Sequence, residues 1–260
     1  MGSQEPKTVT INVTGFKKFQ GIAHNPTETI VNNLKNFVES KGLLPAGVTL
    51  RSCTVLETAG NGALPVLLKV LESGISGIDT KNEHVIWLHL GVDGGARKFT
   101  LEQQAVNEAS FFCPDELGWQ PMVDYGCSSF NLSKCFSVTL LISISLCLLF
   151  TFGVCSDSPL LPTMGESPGN DRNLCRAYCH LTTCSVEAIL RFLKNKGYAA
   201  TTSNDAGLFI CNYVYYHSLR FAEQKGHKSL FVHVPLFSTI NEETQMQFVA
   251  SLLEAIASTC

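Results

Sequence analysis

No long run of basic residues occurs in the 260-residue chain, whose formal net charge is −3. Nucleic-acid partners need a basic stripe to neutralise phosphates, so that class is excluded. Nor does an apolar leader open the chain. Met1 to Lys7 is polar and Val9 to Val13 is too short for a leader core, so secretion is not expected. Pro6 stands where a myristoylation motif needs serine or threonine. The one glycine-rich turn, Gly91-Val92-Asp93-Gly94-Gly95, lacks both the GxGxxG spacing and a following Gly-Lys-Ser/Thr. Nucleotide binding therefore lacks its phosphate cradle. Internal repeats and a second domain are absent. The 11 cysteines are odd in number and come without a leader, so they read as reduced thiols of a cytoplasmic protein and not as a disulfide framework.

What is present is an alternation of strand and helix patterns. Val9 to Val13 alternates as a strand and runs into a turn at Thr14-Gly15-Phe16. Asn25-Pro26-Thr27-Glu28 opens a helix whose face is Ile30, Val31, Leu34, Phe37 and Val38, with Gly42 as its stop. Val48 to Leu56 is a second strand, Ala63 to Ser73 a helix, and His84 to Leu90 a strand apolar enough to be covered on both faces. Ser185 to Lys196 is helical and Tyr198 to Thr202 a strand. Thr239-x-x-Glu242 has capping-box spacing for a last amphipathic helix, Asn241 to Ser258. Such alternation predicts an α/β fold: a three-layer α/β/α sandwich around a largely parallel, mixed sheet, as a single domain over 1–260.

Chemistry concentrates in two segments. After Gly207, the residues Phe209, Ile210, Tyr213, Val214, Tyr216 and Leu219 recur at helical spacing, which puts Cys211 near a helix N-terminus. The positive end of the helix dipole and free backbone N–H groups favour a thiolate there. Leu230 to Val234 is a buried strand carrying His233 just before Pro235. A helix followed by a strand can bring the two side chains into one pocket, the minimum for thiol nucleophilic catalysis. Pattern alone leaves the plainer alternative open, a small buried cysteine and a structural histidine.

These two segments, with TGFKKFQGIAHNPT near the start and GVDGGARKFTLEQQAVN in the middle, resemble the four signature blocks of pyroglutamyl peptidase I, or pyrrolidone-carboxylate peptidase, in the same order. The resemblance covers most of the chain outside 123–184, and Glu108 to Pro121 resembles plant members of the family. It implies a cysteine peptidase that removes an N-terminal pyroglutamyl (5-oxoproline) residue from peptides through a Cys-His-Glu triad and a thioester. Cys211 would be the nucleophile, His233 the acid and base, and Glu102 the carboxylate that orients the imidazole. Phe16 and Phe19 would hold the flat ring between them, Asn25 would order their loop, the backbone at Val92 would meet the ring N–H, and Arg97, with Lys98 beside it, would assist substrate binding. No cofactor and no metal are implied, the partners are pyroglutamyl peptides, and homo-oligomerisation is compatible with this reading.

The segment 123–161 matches nothing in the family. Within it Phe136 to Val154 is nineteen residues without a charge, long enough to cross a bilayer. We expect an insertion of translated intron type carried as a loop, with 162–184 as linker. A membrane-anchored relative that uses 136–154 as a span, a buried core helix over the same run, and an isoform impaired by the insertion are the alternatives. Cys175, Cys179, His180 and Cys184 crowd together, but CxxxCHxxxC fits no common zinc pattern and no second ligand pair follows.

Overall fold

A computed structural model describes residues 8–19, 21–78, 83–121 and 179–259, all within one compact unit that spans Met1–Val123 and Asn173–Cys260. The insertion at 123–161, the apolar run 136–154, Cys175 and most of the linker lie outside the described residues. No helix among the described residues is long and apolar enough to cross a membrane.

In chain order the elements are β1 (Thr8–Phe16), α1 (Pro26–Ser40), β2 (Val48–Leu56), α2 (Gly60–Gly74), β3 (Glu83–Val92), β4 (Phe99–Glu102), β5 (Gln104–Val106), β6 (Cys179–Leu181), α3 (Val186–Asn195), β7 (Ala200–Ser203), α4 (Ile210–Lys225), β8 (Lys228–Val234) and α5 (Glu242–Ser258). Six strands form one sheet in the order β2-β1-β3-β8-β4-β7, and β5 pairs with β6 in a small antiparallel ribbon. Every pairing in the main sheet is parallel except β4 with β8. The sheet is thus mixed and largely parallel, with helices on both faces.

Side chains alternate across each strand, and so they build two cores. Ile86, Leu88 and Leu90 of β3, Leu101 of β4 and Val232 and Val234 of β8 join α1, α3 and α5 in one. Val85 and Trp87 of β3 and Phe231 of β8 join α2 and α4 in the other. Phe99 and Phe248 stack at 3.5 Å in the first core, and Tyr198 meets Phe248 edge-on at 5.3 Å.

Three local expectations are corrected. β1 does not stop before a turn at Thr14-Gly15-Phe16; it continues through Phe16. The strand passes so close to α1 that a Cβ on Gly15 would lie 2.6 Å from the Thr27 carbonyl oxygen, which only glycine permits. Gly91 and Val92 likewise belong to β3 and not to the turn after it. At α5 the cap is Asn241, whose side chain accepts from Thr244 N at 2.9 Å. Thr239 has the right spacing to Glu242, but its own N–H is used in a turn to Leu236 O, before the helix begins.

Phe248 is fully buried between Phe99 and Tyr198. Phe248→Ala is expected to cost ~3–5 kcal/mol of unfolding free energy, read as a lower urea midpoint.

Candidate active site

Alternation brings the chemistry to one face. With Leu101 facing α5, Glu102 and Thr100 face α4. With Val232 and Val234 facing α5, Phe231 and His233 also face α4. In the antiparallel β4–β8 pair Thr100 sits opposite His233, and Glu102 opposite Phe231. Glu102 and His233 are therefore diagonal neighbours on the same face, within reach of long side chains. They meet in a buried hydrogen bond of 2.8 Å between His233 Nδ1 and Glu102 Oε1.

The side chain of Cys211 lies close enough to the same imidazole to act on its charge. Burial by itself would push this imidazole's pKa down. Hydrogen bonding to the side chains of Cys211 and Glu102, and the charge of both, outweigh burial and hold it up at about 10. An imidazolium in this place, bonded to a carboxylate on one nitrogen and close to a sulfur, is placed to exchange a proton with the thiol.

Cys211 stands in the first turn of α4. Phe209 precedes that helix with no side-chain cap, so its first N–H groups are left for a ligand or a developing oxyanion. A tight loop delivers it: Asp205 N donates to Ser203 Oγ, Gly207 N donates to Asp205 Oδ1, and Gly207 has φ 78°. Gly91 on β3 lies beneath the sulfur. A Cβ there would come within 2.9 Å of Cys211 Sγ and 2.6 Å of Phe231 Cζ. The thiol occupies the space that a missing side chain leaves.

Two buried polar side chains hold these parts in register. Asn212, next to the thiol, accepts from Val106 N (2.9 Å) and donates to the carbonyls of Val106 and Glu108, tying the segment after Glu102 to the helix that carries Cys211. His89, two residues before Gly91 on the same face, bonds Thr14 Oγ1 and Ser218 Oγ, each at 2.7 Å, and Ser218 Oγ bonds Ser229 Oγ at 2.9 Å. Complete burial pushes the His89 pKa down to about 3, so this chain of bonds involves a neutral ring at ordinary pH. Tyr215 adds a hydrogen bond from its hydroxyl to Glu102 O.

The three side chains open on a cleft of about 600 Å³ whose lining includes Phe16, Phe19, Asn25, Val92, Phe209 and Ile210. Asn25 is buried. It donates to Lys17 O and accepts from both Thr27 N and Thr27 Oγ1, which fixes the loop between the two phenylalanines and α1. Phe16 N donates to Thr27 Oγ1, and its ring lies 6.3 Å from Phe231. Phe19 is half-buried and leans on Phe209 at 6.4 Å.

Of the residues expected from the sequence, Glu102, Cys211, His233, Phe16, Phe19, Asn25 and Val92 all line this cleft. Arg97 does not. It is exposed, as is Lys98, in a turn where Ala96 N bonds Asp93 O, and that turn brings Asp93 and Gly94 to the cleft instead. Gly91, His89 and Asn212 were not singled out by sequence. The only hint was a buried-helix asparagine directly after the cysteine. Among the described residues no three His, Cys, Asp or Glu side chains gather as a metal site.

The pyroglutamyl peptidase family profile matches residues 168–256, the part holding Cys211 and His233. The chain is 28% identical over 225 residues to the pyrrolidone-carboxylate peptidase of Thermococcus litoralis, covering 86% of this chain and 74% of the relative. It is 26% identical over 225 residues to that of Pyrococcus furiosus, covering 86% and 79%. A mutant pyrrolidone carboxyl peptidase from P. furiosus shares the fold at TM-score 0.64 and 24% identity, over 96% of this chain and 98% of the other. The T. litoralis structure does so at 0.62 and 24%, over 97% and 94%.

Because Gly91 makes room for the sulfur and for the buried Phe231 ring, Gly91→Ala is expected to displace both. Alkylation at Cys211, followed peptide by peptide in a mass spectrometer, should slow by ~10-fold or more, a cost equivalent to about 1.4 kcal/mol.

Proposed function

We propose that this chain, which belongs to the pyroglutamyl peptidase family, hydrolyses the amide bond that follows an N-terminal pyroglutamyl residue, with Cys211, His233 and Glu102 as its catalytic side chains. The observation that carries this reading is the line Glu102–His233–Cys211, opening on a cleft that two phenylalanines flank.

In the first half-reaction the Cys211 thiolate attacks the carbonyl carbon of the scissile amide. The electron pair moves to oxygen, which the free N–H groups at the start of α4 can stabilise. As the intermediate collapses, His233 gives its proton to the departing amine, and a pyroglutamyl thioester remains on sulfur. In the second, the now neutral imidazole takes a proton from water, whose oxygen attacks the thioester. Collapse of that intermediate frees pyroglutamate and regenerates the thiolate and imidazolium. Glu102 moves no proton. Its bond to Nδ1 holds the ring so that the other nitrogen faces sulfur and substrate, and its charge stabilises the imidazolium.

Specificity for the lactam fits a slot between Phe16 and Phe19, with the backbone at Val92 as partner for the ring N–H. A free, charged N-terminus would leave such buried polar groups unpaired and would itself be poorly solvated. Arg97 has no part in this reading, because it is exposed outside the cleft. A cytoplasmic location suits a mechanism that needs Cys211 reduced.

Cys211→Ala and Cys211→Ser should each lower release of a chromophore from a pyroglutamyl anilide by ~10³-fold or more. Persistence of the wild-type rate in Cys211→Ala would refute the thiol mechanism. The raised pKa of His233 predicts that kcat/KM falls as pH rises through about 10, where the imidazolium that protonates the amine is lost. A pH–rate profile checks this, and an alkaline limb centred near pH 6.5 would contradict it.

A further inference from the structure

We infer that the cleft beyond the ring slot selects a cationic side chain, lysine or arginine, on the residue that follows pyroglutamate; this inference rests on the peptidase reading above.

A five-membered lactam between Phe16 and Phe19 fills a minor part of a cleft of about 600 Å³. The lining also includes Asp93, Gly94, Phe112, Ser203, Asp205 and Phe209, and the departing peptide has to pass along this same cleft. Its charges can be counted. Glu102 is paired with His233 at the buried end. Among the described residues no lysine or arginine lines the cleft, since Arg97 and Lys98 are exposed outside it. Two carboxylates are left, Asp93 and Asp205. Both are exposed, and neither makes an ion pair among the described residues.

These carboxylates are held in place. Asp93 Oδ1 accepts from Gly95 N and Asp205 Oδ1 from Gly207 N, each at 2.9 Å. Each aspartate is thereby fixed to its own turn, with its second oxygen not engaged by that bond. A second feature of the same lining points to the same ligand. Phe112 is 79% exposed, with its ring 5.2 Å from Phe209. An aromatic face at the cleft suits the methylene stem of lysine or the guanidinium plane of arginine, while the charged end stays at the wet rim beside the aspartates. An acidic side chain in this cleft meets like charges in the lining and no lysine or arginine there to pair with it.

The turn bonds explain how to test charge apart from structure. Asparagine keeps the Oδ1 acceptor, so Asp93→Asn and Asp205→Asn preserve both turns and remove only the charge. With the full chain, release of pyroglutamate is measured on three peptides that differ only in the second residue, lysine, glutamine or glutamate, at low and at high salt. Rim charges of this kind change rates by a few-fold each, so kcat/KM for lysine over glutamate should be ~10-fold at low salt. That ratio should shrink at high salt and fall to ~2-fold or less in the Asp93→Asn/Asp205→Asn double variant. A wild-type ratio of one, or a ratio that the double variant leaves unchanged, overturns the inference. If the pyroglutamyl anilide is turned over while the ratio is flat, the charge preference alone fails. If neither anilide nor peptide is turned over, the peptidase reading fails with it.

Discussion

The bond from Glu102 to His233 exists because one strand of the sheet runs the wrong way. Had β4 lain parallel to β8, the short segment Phe99–Glu102 would offer its residues in a different register, and the carboxylate would not fall diagonally opposite the imidazole. The reversal places a negative charge at the base of the site, 2% exposed, where its effect on the imidazole is little screened by water. Burial alone would drive His233 neutral; the carboxylate and the sulfur together reverse that sign. A buried charge is stable only when it is paired, so Glu102 and His233 depend on one another as much as the chemistry depends on both.

Around that pair the fold subtracts material as well as adding it. Gly91 removes a side chain where the sulfur must sit, and Gly15 removes one where β1 must touch α1 so that Thr27 can reach the backbone of Phe16. Asn25 and Asn212 supply bonds that loops cannot supply for themselves: one orders the segment between Phe16 and α1, the other joins the strand after Glu102 to α4. Each is a buried amide bonded to the backbone, with the Thr27 hydroxyl as a further donor to Asn25, which is how a polar group inside a core becomes specific at little cost.

Long periodic elements were legible in the sequence. Val48–Leu56 has the predicted bounds, and the strands and helices that carry His233 and Cys211 differ by only a few residues at their ends. The resemblance supplied Glu102, Phe16 and Phe19, which composition and spacing did not. Four residues are too few for periodicity, so β4 left no signal of its own, and its direction follows from tertiary pairing alone. Gly91 reads as a turn residue in a glycine-rich run, yet its use is steric and needs the partner that sits above it. Thr239 has the spacing of a cap, but a competing turn bond takes its N–H. The arginine beside the glycine turn lies outside the cleft for a related reason: in a turn, sequence distance does not say which side chains face inward.

The chain of bonds through His89 has a consequence for how accurately the nucleophile is set down. Ser218 lies seven residues beyond Cys211, two turns along the same flank of α4, so the bond from His89 to Ser218 pins the helix lengthwise on the sheet. Grease is forgiving about sliding: a helix displaced by one turn, about 5.4 Å, can still bury leucines and tyrosines against a flat apolar layer. Directional bonds are not, because the same slip would strand an uncharged ring and two hydroxyls far from water. The position of one sulfur atom is thus enforced some ten ångströms away, by groups that never meet the substrate.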